Sequence, residues 1–237
     1  MDIEFETVLR QLATLQVTSG LHTDRERKML WQTAKHTKEG TIVEIGSFEG
    51  YSTILLAQAA RKSGNKVISV DPHTGRMCES DEDETPLVSD TWQRFSTNIH
   101  RAGVAETIQA LKCYSEDAAL TWRKPVGLLF IDGSHHYEDV RKDLLLWRPH
   151  LMPGAIVIFH DIWTSGVRRV IAENVLPSAA FGNFRFAPCC MLAASYGTKS
   201  NNLMQRILWR FLFGLRGVIE EQRALRGVIH ALVRRMS

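Results

Sequence analysis

The chain has 237 residues, of which 44% are hydrophobic and 23% are charged, enough to bury one sizeable core with short extensions. The formal charge of +3, from 29 basic and 26 acidic residues, is too balanced for a protein whose whole surface binds nucleic acid. The four cysteines form no C-x-x-C pair, which disfavours a disulfide framework or a zinc site and favours a reducing, cytoplasmic compartment. No basic leader and no uninterrupted apolar stretch of membrane-spanning length is visible, so we expect neither a secretory signal nor a spanning helix.

Short apolar runs alternate with stretches of helical period along the middle of the chain. Buried strands are predicted at 41–45, 66–70, 107–111, 126–131 and 155–159. The predicted helices are 3–16, 23–36, 51–62, 90–101, 116–122, 137–149 and 165–175. Residues 184–187 and 191–195 are predicted to close the sheet as an antiparallel hairpin. This order predicts an α/β fold, a Rossmann-like doubly wound sheet that is mostly parallel and flanked by N- and C-terminal helices.

The chain divides into three parts. Residues 1–39 are predicted to be helices that cap the substrate or form a dimer, 40–196 the core, and 197–237 a basic amphipathic tail. Residues 201–237 hold seven arginines and two acids, a net charge of +5, so the other 200 residues carry −2. The tail is expected either to pack as helices on the body or on a second subunit, or to lie on an anionic membrane.

Residues 72–89 interrupt the alternation with a cluster of five acids, at Glu79 and 81–84. So polar a segment is expected at the surface. It is either a solvated loop or a mobile lid over the site that the neighbouring strand ends form.

Ligands of open α/β sheets bind at the carboxyl ends of the strands, and those ends carry distinctive residues here. The first strand leads into Glu44-Ile45-Gly46-Ser47-Phe48-Glu49-Gly50, where two glycines permit close backbone approach. The second strand ends in Asp71, an acid that can accept hydrogen bonds from ribose hydroxyls. Phe48 occupies the middle glycine position of the dinucleotide fingerprint G-x-G-x-x-G, which disfavours a nicotinamide cofactor.

The fourth and fifth strands end in the most specific motifs of the chain. The fourth is followed by Asp132-Gly133-Ser134-His135-His136-Tyr137, a D-G-x-H-x-Y signature. The fifth begins with an L-x-P-G-A turn at 151–155 and ends in His160-Asp161. Over roughly residues 40–196 these motifs resemble class I S-adenosylmethionine-dependent methyltransferases. The resemblance is to small O-methyltransferases that act on sugars and secondary metabolites.

The resemblance implies S-adenosyl-L-methionine as cofactor and a set of residues that bind it. Glu44 would help to hold its amino-acid end, Asp71 its ribose, and Ser115 would lie near its adenine. Ser115 is alternatively explained as the cap of the helix that follows. The implied set comprises Glu44, Gly46, Ser47, Gly50, Ser52, Asp71, Ser115 and Asp132.

Methyl transfer to a hydroxyl needs a group that removes its proton, and His135 is the candidate general base. His136 is expected to be structural. Asp132 and Asp161 should be neighbours that repel each other unless a cation or a proton lies between them. They either hold Mg²⁺ together with His160, or orient His135 and the acceptor. We therefore name His135, Asp132 and Asp161 as catalytic residues and Asp132, Asp161 and His160 as metal ligands.

These residues predict O-methylation of a sugar or secondary-metabolite hydroxyl, in a homodimer without nucleic acid. We expect a cytoplasmic protein, with attachment to the membrane surface left open by the tail. The alternatives are a non-catalytic or scaffold member of the same fold and, less well supported by the broken fingerprint, a nicotinamide-dependent oxidoreductase.

Overall fold

The computed structural model describes residues 3–15, 17, 23–80, 83–86, 90–187, 190–198, 207, 208, 211, 213 and 214, and the side chains of these residues except 76–86. Its main sheet has seven strands in the order β5-β2-β1-β6-β7-β9-β8. The first five positions of this order are parallel, and β9 and β8 are added antiparallel. This arrangement confirms the predicted Rossmann-like fold with its C-terminal hairpin.

The strands of the main sheet are β1 (Thr41–Ile45), β2 (Val67–Val70), β5 (Ile108–Leu111), β6 (Val126–Ile131), β7 (Leu151–Phe159), β8 (Phe181–Ala187) and β9 (Met191–Tyr196). The α-helices are α1 (Ile3–Leu12), α2 (Asp24–His36), α3 (Tyr51–Ser63), α4 (Thr91–Arg101), α5 (Ser115–Thr121), α6 (Tyr137–Trp147) and α7 (Ser165–Val170). A π-helical turn, Ile171–Val175, extends α7. Every predicted strand of the sheet is present, because β1, β2 and β6 are almost wholly buried and cannot leave their backbone groups unpaired.

Two stretches differ from the sequence prediction. Within the segment 72–89, where the sequence predicted a solvated loop or a lid without strands, β3 (Arg76–Ser80) and β4 (Asp83–Pro86) pair as a separate antiparallel ribbon. Strand β7 begins at Leu151, four residues before the predicted start. Leu151 already pairs with Val126, and a register shift absorbs the Pro153-Gly154 turn, where proline offers no N–H to the ladder.

Each face of the sheet buries an apolar cluster under helices. On one face, α6 and α7 pack with Trp147 and Phe159 over the centre of the sheet. On the other, α1, α2 and α3 pack with Trp31 and Ile54. Burying a large apolar side chain contributes about 1.5–3 kcal/mol, so the two layers together fix the strand order.

One residue of the predicted tail also joins this core. Phe213 is 3% exposed, and its ring lies 5.4 Å from that of Trp163 and 6.0 Å from that of Phe186. By contrast, Ile207, Leu208 and Phe211 are 53–66% exposed. The other residues of the predicted tail, 199–206, 209, 210, 212 and 215–237, lie outside the described residues. Within the part of the chain that is described, no helix has the length and apolar character to cross a membrane.

Candidate active site

The register of the parallel strands brings four strand ends to one edge. Ile45 pairs with both Val70 and Ile131, and Ile131 pairs with Phe159. The residues that follow these positions therefore lie side by side. This places the glycine loop after β1, Asp71 after β2, the D-G-x-H-x-Y motif after β6 and His160-Asp161 after β7 around one mouth, as the sequence predicted for such a fold.

The loop after β1 is built for backbone approach. Gly46 has φ +83°, and a Cβ on it would lie 2.3 Å from the carbonyl oxygen of Asp132, so no other residue fits there. Gly50 adopts φ +92° and stands directly before α3. Phe48, at φ +46°, takes a left-handed conformation without being glycine, which holds the loop in a sparsely populated shape.

Asp71 fixes this loop from the neighbouring strand. Its Oδ2 accepts hydrogen bonds from the backbone N–H groups of Ser47, at 2.7 Å, and Phe48, at 2.8 Å. Its Oδ1 accepts from the backbone N–H of His73 at 2.6 Å. A carboxylate can accept about four hydrogen bonds, so Asp71 keeps capacity for a hydroxyl of a ligand. The hydroxyl of Ser47 is buried and lies 2.6 Å from that of Ser69.

Glu44 is buried beneath the loop rather than exposed at the mouth. It is 0% exposed, and its Oε2 accepts a short hydrogen bond from the Thr53 hydroxyl of α3. Burial raises the pKa of Glu44 to about 8, against the lowering effect of Ser52, Thr53 and Ser47. Its Oε1 has no hydrogen-bond partner among the described residues. Glu44 therefore joins the loop to α3 from below.

Ser115 lies on the far side of the mouth, at the start of α5. It is the first helical residue and Tyr114 is the cap, without a side-chain hydrogen bond, so the alternative in which Ser115 caps the helix is wrong. Its hydroxyl accepts a hydrogen bond from Trp147 Nε1 at 2.8 Å. Burial raises the pKa of the neighbouring Asp143 to about 6, although its hydrogen bond with Ser115 lowers it.

Four ionisable side chains form a compact cluster at the ends of β6 and β7. His160 Nδ1 lies 2.9 Å from Asp132 Oδ1 and 3.2 Å from Asp161 Oδ2. Asp161 Oδ2 lies 3.0 Å from His135 Nε2. Asp161 adopts φ +48°, a strained conformation that is typical of functional sites, and Thr164 donates two hydrogen bonds to its carbonyl oxygen.

The cluster shifts the pKa of each member. Burial by itself would lower the pKa of His160, but the charges of Asp132 and Asp161 outweigh it and raise the value to about 11. Burial opposes ionisation of Asp161, yet His135 and His160 hold its pKa well below the usual range. Burial raises the pKa of Asp132 despite His160. The pKa of His135 is raised, since Asp161 and Asp132 outweigh its burial.

The same cluster has the donors for a cation. One ligand atom from each of Asp132, His160 and Asp161 lies within 4.8 Å of the others. Two carboxylates and one imidazole suit a divalent ion, with a nitrogen that Mg²⁺ does not favour. Because His160 already lies between both carboxylates, a metal ion would have to displace its proton. The residues therefore fit a divalent cation that competes with a proton.

The structure also brings in residues that sequence reasoning missed. Helix α4 holds the loop from the side, since Asn98 donates to the carbonyl oxygen of Glu49 at 2.9 Å and Arg94 pairs with the Glu49 carboxylate at 2.8 Å. His73, with a buried side chain, packs against Trp92 and Phe95 of the same helix. The one available signal was the strongly amphipathic pattern of 91–101, which predicts a buried face but not what it contacts.

Comparison with known proteins agrees with this geometry. A family described as a methyltransferase domain matches residues 43–162. An uncharacterized protein of Acanthamoeba polyphaga mimivirus is 34% identical over 126 residues, 51% of each chain. A protein of Sinorhizobium fredii is 31% identical over 127 residues, 51% of this chain and 13% of that one. The chain thus spans about half the length of the first of these relatives and less of the second.

Solved structures share the fold at low identity. The O-methyltransferase from Bacillus cereus in complex with SAH is 18% identical, with a TM-score of 0.59 over 83% of this chain and 91% of that one. TomG, the O-methyltransferase of Streptomyces achromogenes involved in tomaymycin synthesis, in complex with SAM, is 16% identical, with a TM-score of 0.59 over 84% and 91%.

The family match covers more than half of the chain and includes the glycine loop, Asp71, the polar cluster and the strands that position them. The chain therefore belongs to this methyltransferase family. The resemblance of its motifs to class I S-adenosylmethionine-dependent methyltransferases is confirmed.

Proposed function

We propose that this chain transfers a methyl group from S-adenosylmethionine to a hydroxyl of a sugar or similar small-molecule acceptor, with His135 as general base. The observation that carries the proposal is the pairing of His135 Nε2 with Asp161 at 3.0 Å. It leaves the other ring nitrogen, Nδ1, buried and without a hydrogen-bond partner among the described residues. Buried polar atoms are rarely left unpaired, so this nitrogen points to a partner supplied by a ligand.

Asp161 sets the protonation of His135. A carboxylate beside Nε2 favours the tautomer in which Nε2 carries the proton and donates a hydrogen bond to Asp161. In this tautomer the lone pair is on Nδ1. When the acceptor hydroxyl gives its proton to Nδ1, the same carboxylate stabilises the imidazolium that forms. This is the role an aspartate plays beside the histidine of a hydrolase triad.

The chain would bind and orient the cofactor at the adjoining loops. The bound cofactor supplies an activated methyl on a sulfonium, so the protein has to align the acceptor oxygen with it and exclude water. Asp71 has acceptor capacity left for a ribose hydroxyl, and Gly46 and Gly50 let the loop backbone come close. Glu44 would act through the loop and α3, because its side chain is fully buried.

We also assign Ser47, Ser52, Ser115 and Asp132 to the cofactor site. Ser47, within the loop, and Ser52, on α3, are both buried. Ser115 and Asp132 border the mouth from α5 and β6. The complexes of the Bacillus cereus protein with SAH and of TomG with SAM support this choice of cofactor.

A divalent cation would be held by Asp132, Asp161 and His160 and would stabilise negative charge on the acceptor oxygen as a Lewis acid. In the cation-free alternative, protonated His160 neutralises the two carboxylates, and they orient His135. Activity that EDTA abolishes and Mg²⁺ or Mn²⁺ restores supports the first alternative. Activity unchanged by chelation removes the metal from the proposal and leaves the base in place.

The test uses His135→Gln, with His136→Gln as its matched control. His136 is the adjacent residue and serves as the backbone cap of α6. Methyl transfer from labelled S-adenosylmethionine to a panel of glycosides is measured beside calorimetry of S-adenosylhomocysteine. We expect the turnover of His135→Gln to fall by roughly 10²-fold or more, while its affinity for S-adenosylhomocysteine is unchanged. His136→Gln should keep both its turnover and that affinity.

Full turnover in His135→Gln would refute the base assignment. Binding of S-adenosylhomocysteine without transfer to any hydroxyl acceptor would favour a non-catalytic member of the fold. Binding of NADH in its place would favour an oxidoreductase.

We also propose that the protein is cytoplasmic and that it forms a homodimer or attaches peripherally to the membrane. The exposed Ile207, Leu208 and Phe211, followed by a basic tail, support either a homodimer contact or a peripheral membrane contact of a cytoplasmic protein. Light scattering after gel filtration and sedimentation with anionic vesicles distinguish the two. An acidic body supports a small-molecule acceptor rather than nucleic acid.

A further inference from the structure

A groove of about 860 Å³ runs along helix α2, away from the strand ends that form the candidate active site. One wall is a stripe of α2 at helical spacing, and the other is formed by the start of β7 and the end of β8. The groove begins beside Lys38 and Gly127 at the amino ends of β1 and β6 and reaches Ala187. Arg25 and His36 mark its length on α2, eleven residues or roughly 17 Å apart. None of its lining residues belongs to the glycine loop or to the polar cluster.

The rim of the groove is strongly cationic. Arg25 and Lys28 stand on α2, Lys38 follows it, and Arg185 stands on β8, all four exposed. Glu39 is the one acid among the lining residues, so with histidine neutral the rim carries four positive charges and one negative, a net of +3. Among the described residues no ion pair joins any of the four cations to an acid. Four cations around one concave surface attract an anion, and arginine in particular matches the geometry of phosphate.

The floor of the groove is apolar. It is formed by half-buried Met29, Met152 and Ile156 and by buried Ala155 and Ala187. Methionine side chains adapt to irregular aliphatic surfaces. Phe186 already packs its ring against that of Phe213. The floor therefore suits an alkyl chain better than a ring system.

We propose that this groove is a second binding site, which takes an amphiphile with a phosphate head and an alkyl chain. The phosphate would be held by the cations of α2 and β8, and the chain would lie along the methionines. The volume lies within the range of small-ligand pockets. The net positive charge of residues 199–237 makes them a poor electrostatic match for this cationic rim. The proposal does not depend on the methyl-transfer function.

The test is calorimetric titration of the whole chain with octyl phosphate, and with inorganic phosphate and 1-octanol separately. We expect octyl phosphate to bind saturably at one site. Inorganic phosphate and 1-octanol should each bind at least about tenfold more weakly, because the phosphate head and the alkyl chain both contribute to affinity. Lys28→Glu and Arg185→Glu should each weaken octyl phosphate about tenfold or more. The matched control Arg101→Glu, an exposed arginine on α4 outside the groove, should bind as the wild type does.

Each other outcome overturns the proposal. Equal loss in Arg101→Glu would show that overall charge, not the groove, attracts the ligand. Saturable binding of inorganic phosphate as tight as that of octyl phosphate would remove the alkyl part. Binding to phosphatidylglycerol vesicles by wild type and Arg185→Glu alike, without binding of octyl phosphate, would place the lipid contact elsewhere. Preferential binding of a poly-glutamate peptide would make the groove a protein interface. Circular dichroism and unchanged urea unfolding show that the variants are folded.

Discussion

Glu44 makes the stability of the fold depend on pH, because its carboxyl is fully buried and its pKa is raised from 4.5 to about 8. Between these two values the folded chain holds a proton that the unfolded chain has lost. Stability must therefore fall as pH rises through this window. The shift from 4.5 to about 8 corresponds to an upper bound of about 5 kcal/mol, at about 1.4 kcal/mol for each pH unit. Glu44→Gln keeps a side chain of the same shape and removes the titration.

The assay is urea unfolding at several values from about pH 5 to about pH 8, where the linkage acts. Wild type should lose on the order of 1 kcal/mol per pH unit relative to Glu44→Gln across the window. Glu39→Gln removes an exposed carboxyl and should follow the wild-type dependence. Parallel curves for wild type and Glu44→Gln would refute the reasoning, because they would mean that Glu44 is ionised in the folded chain at no cost.

Two further predictions concern contacts of the loop and of the tail. Asn98→Ala leaves the carbonyl oxygen of Glu49 without its donor, so S-adenosylhomocysteine should bind about tenfold more weakly by calorimetry, whereas the exposed neighbour Thr97→Ala should not change affinity. Unchanged affinity in Asn98→Ala would mean that α4 does not hold the loop for the cofactor. Phe213→Ala should lower the free energy of unfolding by about 3 kcal/mol, and Phe211→Ala, whose ring is 66% exposed, by about 0.5 kcal/mol or less; equal losses would contradict the packing of Phe213 on the core.

Much of the site could be predicted because parallel strands all present their carboxyl ends at one edge. Asp71, Asp132 and Asp161 stand within two residues of the ends of apolar runs, so finding the strands also found the acids. Gly46 was a reliable signal in the sequence because its position requires glycine. It lies so close to the backbone after β6 that a side chain is excluded. A local pattern and a general rule of the fold were sufficient for these residues.

Other features depend on contacts between residues far apart in the chain. Nothing near Glu44 in the sequence indicates that its carboxyl is fully buried and bonded to Thr53 of α3. Its expected role at the amino-acid end of the cofactor rests on the resemblance to the family. The hydrogen bond from Asn98 of α4 to Glu49 joins residues that are 49 positions apart. No periodic pattern in the sequence indicates such a contact. The ribbon of β3 and β4 was missed because five acids in a short segment are typical of a solvated loop.

The sequence by itself determined the fold class, the order of the strands along the chain and the residues at their ends, because apolar periodicity and turn residues act locally. Only the tertiary structure decided the register. That register places His160 between two carboxylates. Among the described residues it also leaves Nδ1 of His135 without a hydrogen-bond partner and lines one groove with four cations that form no ion pair. The tertiary structure also shows a concentration of positive charge that the sequence did not reveal. Four cations that are separate in the chain line one surface. Charge and hydrogen bonding act through space, so their consequences appear only when distant segments are packed together.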